Sequence, residues 1–145
     1  MVFARAPVPG QVKTRLIPEL GEAGAAALHR SLVTHSLLAA RDSRLGPVEL
    51  WCAPGVDDPF FRECERRHAV SLHRQEGGDL GARMRGAFAS ALARSSRAIL
   101  VGSDVPALSP PYLRDADRAL AEADAVVGPA DPMTWPGRAG VGPTK

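Results

Sequence analysis

The side chains best suited to chemistry lie near the start of the chain and around residue 104. Residues 3 to 16 read Phe3-Ala4-Arg5-Ala6-Pro7-Val8-Pro9-Gly10-Gln11-Val12-Lys13-Thr14-Arg15-Leu16. A short apolar stub becomes a loop that carries Arg5, Lys13 and Arg15. Proline fixes its own φ and restrains the residue before it, so Pro7 and Pro9 keep the loop open rather than helical. Gly10 permits a sharp turn or a close approach of backbone to ligand. Lys13 and Arg15 stand two apart, so an extended chain would aim both to one side. A pre-shaped loop that aims cations together suits a phosphate or another anion. A solvated basic loop is the alternative.

Asp104 lies in Gly102-Ser103-Asp104-Val105-Pro106-Ala107-Leu108, just past the apolar run Ala98-Ile99-Leu100-Val101. Such a run reads as a strand covered on both faces, the most buried of the chain. A carboxylate at its end is rigidly held and is a hard ligand for Mg²⁺ or Mn²⁺, ions that bridge phosphate oxygens. Ser103 and Pro106 would restrict the turn that presents it. Aspartate is also common as a turn cap, and that role stays open.

A third segment, Gly77-Gly78-Asp79-Leu80-Gly81-Ala82-Arg83, precedes a helical pattern and offers N–H groups to an anion or a base. Asp79 reads first as the helix N-cap. Arg83, one turn later, would pair with Asp79 or face a phosphate. His29, His35, His68 and His73 are scattered and read as surface or partly buried residues. Asp57-Asp58 precedes a helix and complements its dipole. Trp51 and Trp135 have no stacking pattern around them. Ser103 lacks a G-x-S-x-G context, which argues against serine hydrolase chemistry.

The elements that must position these residues alternate. Met1 to Ala4 ends a strand. Gly24 to Arg41 is a helix with Leu28, Leu32, Val33, Leu37 and Ala40 inward and His29, Arg30 and Ser36 on other sides. Val48 to Cys52 is a strand, Pro59 to Arg67 a charged helix and Val70 to Leu72 a short strand. Leu80, Met84, Ala87, Phe88, Ala91 and Leu92 form a helical stripe. Ser109 caps the next helix, with Pro110 and Pro111 in its first turn and Leu113, Ala116 and Leu120 inward. Ala125-Val126-Val127 is the last strand. This order predicts a three-layer α/β/α domain with a mainly parallel sheet over residues 1–127. Ligands of such sheets bind beyond the carboxyl ends of the strands, where the three segments fall. Residues 128–145 have no periodic apolar face and read as an irregular or disordered tail.

Composition bounds the rest. The 145 residues suffice for one domain with a real core, and 45% hydrophobic content excludes wholesale disorder. A net charge of +2, with arginines spread along the chain, does not favour nucleic acid. Cys52 and Cys64 fit no metal motif and read as buried thiols of a reducing compartment. No signal peptide and no membrane span are discernible, so a cytoplasmic protein is expected. Oligomeric state is not legible.

In sequence, F-A-R-A-P-V-P-G-Q-V-K-T-R-L at 3–16, G-G-D-L-G-A-R-M at 77–84, L-V-G-S-D-V-P-A-L at 100–108 and G-P-A at 128–130 resemble the radical-SAM/selenodomain-associated transferase family. That family is similar to the glycosyltransferase-A superfamily of nucleotide-diphosphosugar transferases, and the resemblance covers residues 2 to 130. It implies a Rossmann-like nucleotide-binding core and a metal-dependent glycosyl- or nucleotidyltransferase. The donor would be a nucleoside triphosphate or nucleotide sugar and the acceptor an unidentified small molecule. Arg5, Gly10, Lys13 and Arg15 would hold phosphates, and Gly78, Asp79 and Arg83 would lie near base or ribose. Asp104 would hold Mg²⁺ or Mn²⁺ and, with Lys13, carry catalysis. The sequence departs from the family after G-P-A. An acidic residue and a D-G-G-Y-like segment are expected there, yet the chain continues Asp131-Pro132-Met133-Thr134-Trp135. A second metal ligand and much of an acceptor site would then be missing, through truncation or a frameshift. A non-catalytic paralogue that keeps the fold is the alternative.

Overall fold

The computed structural model describes residues 1–128. The expected tail lies outside the described residues apart from Gly128, as do Asp131 and Trp135. The elements are β1 (Val2–Arg5), α1 (Ile17–Ser43), β2 (Glu49–Ala53), α2 (Pro59–His68), β3 (Ser71–Arg74), α3 (Leu80–Leu92), β4 (Val101–Gly102) and α4 (Pro110–Leu120). The four strands form one sheet in the order β3-β2-β1-β4, and all pairings are parallel. Helices cover both faces, as the alternating pattern predicts.

Strand periodicity decides which side chains meet which layer. Val2, Ala4, Leu50 and Cys52 face the side covered by α1 and α2, where they pack with Val33, Leu37, Phe61 and Cys64. Phe3 and Trp51 face the other side and pack with Ala87 of α3. Transfer of a side chain such as the fully buried Leu50 or Phe61 contributes roughly 1.5–3 kcal/mol. Both cysteines are free and buried in this core. Burial first of all pushes the Cys52 thiol up to about 12 and that of Cys64 up to about 11, so neither is a ready nucleophile. α4 lies against α1 through Ala39, Leu108 and Leu113.

Several elements differ from the sequence reading for identifiable reasons. The first helix begins at Ile17, but Gly21 (φ 71°, ψ 168°) breaks it, so the continuous part starts close to the expected Gly24. His29 and Ser36 are buried rather than outward. α1 packs against the sheet and also against α4, which widens its covered face. Conversely, Leu80 and Leu92 are exposed; Met84 and Ala87 pack against Phe3 and Trp51, Ala91 is buried and Phe88 half-buried. Residues 98–101 are half-buried, and only Val101–Gly102 form a strand. β4 is an outer strand of the four, so β2, which is buried throughout, takes the place of the most buried strand. Of the expected strand 125–127, only Val126 makes a single bridge. Trp51 does stack: its ring lies 4.8 Å from His73 at 16° and 6.2 Å from Phe3. Cross-strand register brings these rings together, which sequence spacing does not display.

Among the described residues no helix is long and apolar enough to cross a membrane.

Candidate functional site

The chain runs from β1 to β2 on one side, then crosses back from β3 to β4 on the other. The order therefore reverses between β1 and β4, and the loops that leave these strands at their carboxyl ends flank the reversal point. The loop after β1 carries Lys13 and the loop after β4 carries Asp104. The two meet there, with Lys13 Nζ 2.5 Å from Asp104 Oδ1.

Local structure explains how Lys13 arrives. Pro7 and Pro9 lead into two tight bonds, Val8 N–H to the Ala6 carbonyl (2.8 Å) and Gln11 N–H to the Val8 carbonyl (3.0 Å). Gly10 adopts φ 82°, and a Cβ there would lie 3.3 Å from the Glu22 carboxylate. Val12 is buried and anchors the loop. Lys13 itself is left-handed, at φ 51° and ψ 39°, and opens a 3-10 turn over Thr14–Leu16. A lysine held in that region costs of order 1–3 kcal/mol, which surrounding structure must offset. The loop is thus not extended at Lys13, and the expected alignment of Lys13 with Arg15 fails. Lys13 turns to Asp104. Arg15 is exposed and has no side-chain partner among the described residues, and the same holds for Arg5.

The carboxyl end of β1 is pinned from two sides. His29 Nε2 lies 2.9 Å from the Arg5 carbonyl, so this nitrogen donates and the buried Nδ1 is left without a partner among the described residues. Gln75, just past β3, donates from its Nε2 to the carbonyls of Trp51 (2.8 Å) and Ala4 (3.3 Å). One side chain thereby laces the ends of β3, β2 and β1. Neither His29 nor Gln75 nor Glu22 was singled out from sequence as part of the site. A polar residue placed immediately after a strand was the only available signal for Gln75.

The Gly77–Arg83 segment lies at the same end of the sheet, beyond β3. Gly77 (φ 139°) is required by space as well as conformation, since a Cβ would come within 2.8 Å of Ala82 Cβ. Asp79 caps α3 by accepting from Ala82 N–H (2.8 Å). Arg83 donates from Nε to the Gly77 carbonyl (3.1 Å) and so closes the segment on itself instead of pairing with Asp79. Gly78 is exposed, with open space where a Cβ would be. No hydrogen bond or ion pair joins Gly78, Asp79 or Arg83 to Lys13 or Asp104 among the described residues. The site residues thus form two groups, separated by β2. Asp58 caps α2 from the same side by accepting from Phe60 N–H (2.9 Å), and Asp57 pairs with Arg62.

In open, doubly wound sheets ligands bind at the strand-order reversal, and here a cation and a carboxylate meet at that point. The chain belongs to a family described as uncharacterized proteins conserved in bacteria (DUF2064), whose model matches residues 36–132. It is also similar to a crystal structure from Desulfovibrio desulfuricans G20 described as a "putative nucleotide-diphospho-sugar transferase". That similarity has a TM-score of 0.78 at 32% identity and covers 88% of this chain and 56% of that one. The chain therefore spans little more than half the length of this relative. No curated protein matches.

Proposed function

We propose that the chain forms the donor-binding part of a transferase that takes a nucleotide-diphospho-sugar or a nucleoside triphosphate. One observation carries this reading: the Lys13–Asp104 pair sits at the strand-order reversal of a transferase-like fold. Lys13, Arg15 and Arg5 supply positive charge for a diphosphate, and the bend at Gly10 lets the backbone come close to it. Gly78 and Arg83 would face the base or ribose, with Asp79 holding the helix that presents them.

Among the described residues no three His, Cys, Asp or Glu side chains are grouped to share a metal ion. Asp104 nevertheless suits Mg²⁺ or Mn²⁺, because Mg²⁺ is commonly held by one or two carboxylates and completed by substrate phosphates and water. Such an ion would neutralise charge on the leaving phosphate. The protein's own contribution is to orient the donor and keep Lys13 beside the developing negative charge.

A panel of nucleoside di- and triphosphates and nucleotide sugars, read by thermal shift with and without Mn²⁺, tests this. At ligand concentrations 100-fold above Kd, a specific ligand should add about 2.7 kcal/mol of stability. If no nucleotide in the panel stabilises the protein, with or without metal, the proposal fails.

A further inference from the structure

The sheet ends on one side in β3, which pairs only with β2. Its bonds to that neighbour leave from alternate residues: Ser71 N–H donates to the Val48 carbonyl (3.3 Å) and Gln75 N–H to the Cys52 carbonyl (2.9 Å). The period of two therefore turns the N–H and C=O groups of Leu72 and Arg74 to the outer side, where no described residue bonds to them. No proline lies along residues 69–75 to blunt this edge. The opposite outer strand, β4, has only two residues and offers far less edge.

A cleft of about 290 Å³ opens beside this free edge. Trp51, His73, Arg74 and Glu76 line it from the sheet, and Arg83 and Gly86 line it from α3. Its floor is stiff, because the His73 ring stacks on Trp51 and its Nε2 lies 3.0 Å from Ser71 Oγ. Its charge is lopsided. Arg74 is exposed and has no side-chain partner among the described residues. Arg83 spends only its Nε, on the Gly77 carbonyl, and keeps its terminal nitrogens. Glu76 is the one carboxylate among the lining residues.

We propose that the free edge of β3 is a docking site for an extended acidic segment of another polypeptide, which joins the sheet as a fifth strand. Main-chain bonds to Leu72 and Arg74 supply affinity, and alternate side chains reaching the cleft supply selectivity. An aspartate or glutamate there meets the forked donors of Arg83 or Arg74. A second copy of this chain is the poorer occupant, since it would bring its own Arg74 and Arg83 to the same edge. β2 and β1 stand between this edge and β4, so the docked strand leaves the Lys13–Asp104 pair uncovered.

The probe is a capped synthetic heptapeptide of alternating valine and glutamate, with a valine–lysine peptide as control. Both are titrated into the full chain and followed by amide NMR and hydrogen exchange. The acidic peptide should slow exchange at the Leu72 and Arg74 amides and leave those of Ser71, His73 and Gln75 as they were. Arg74→Glu should weaken it by about fivefold and reverse the preference between the two peptides. Arg74→Pro removes an outward N–H at a strand edge that tolerates proline, and should weaken binding by about threefold to tenfold. Arg74→Gln keeps that N–H and should lose only the charge-dependent part. No binding of the acidic peptide, equal binding of both peptides, or binding without protection at Leu72 and Arg74 overturns the proposal. So does tighter binding in Arg74→Gln, which would make Arg74 a guard that keeps strands away. A dimer in sedimentation that Arg74→Pro abolishes would give the edge to a second copy instead, and would overturn it as well.

Discussion

At the amino end of the sheet, Glu49 accepts from Arg94 (2.7 Å) and from the Trp51 indole (2.9 Å), and Arg97 grips Asp117 (3.1 Å). These charges line a cavity of about 270 Å³ together with Ser95, Ser96 and Ile99. At the carboxyl end, Arg5 and Arg15 have no side-chain partner among the described residues, and Lys13 is held left-handed against an exposed Asp104. Both ends carry arginine and carboxylate. The amino end has spent its charges on one another. The carboxyl end keeps cations in reserve beside bent backbone, and the proposed donor site draws on that reserve.

The contrast yields a rule that can be broken: changes at the carboxyl end should cost binding and little stability, and changes at the amino end the reverse. The largest effect is expected for Lys13→Ala, which removes a charged hydrogen-bond donor to phosphate. About 1.5–3 kcal/mol of nucleotide binding should go, roughly 10- to 150-fold in Kd by calorimetry. Thermal stability should stay near that of the natural protein, because alanine meets the same left-handed strain as lysine and the lost pair with the exposed Asp104 contributes little.

Glu49→Gln comes next, at the other end. Loss of the charge that holds Arg94 should lower stability by about 1–2 kcal/mol in urea titration, with nucleotide binding unchanged. The same residue gives a pH signature. Burial pushes its carboxyl up, but the hydrogen bonds from Arg94 and Trp51, with the nearby His73 and Arg94 charges, outweigh this and hold it below its ordinary 4.5. A depressed folded-state value means that stability is present above pH 4.5 and is lost as pH falls below it. Glu49→Gln should flatten the stability curve in that window.

Smaller effects sharpen the rule within the carboxyl end. Asp79→Ala removes the α3 cap and should cost about 1 kcal/mol of stability by thermal melting, so this residue behaves structurally despite its position. Arg15→Ala should weaken nucleotide binding about threefold, more at low salt, because Arg15 is exposed and its charge is screened.

The sequence displayed more of the fold than of the site. The parallel alternation, the caps Asp79 and Ser109 and the buried cysteines follow from local chemistry, and the structure has all of them. The short β4 and the single bridge at Val126 were not foreseeable, because whether an apolar run such as Ala98–Val101 becomes a central strand depends on its neighbours. Within the site, the residue types at 13 and 104 were legible, and their contact across 91 positions was not. It needed the strand order, which places the first and last strands of the described sheet side by side. The same is true of Gln75 and His29, whose roles are hydrogen bonds to backbone of other strands. Local pattern reports what a segment can do, and only topology reports what it does it to.

The most direct measurement is a two-dimensional amide NMR titration of the chain with UDP and Mg²⁺. A donor site at the reversal between β1 and β4 predicts shifts concentrated in residues 8–16, 77–83 and 103–108, with residues 43–49 and 94–99 unmoved. Shifts concentrated at the amino end, or spectra unchanged at saturating nucleotide, would contradict it.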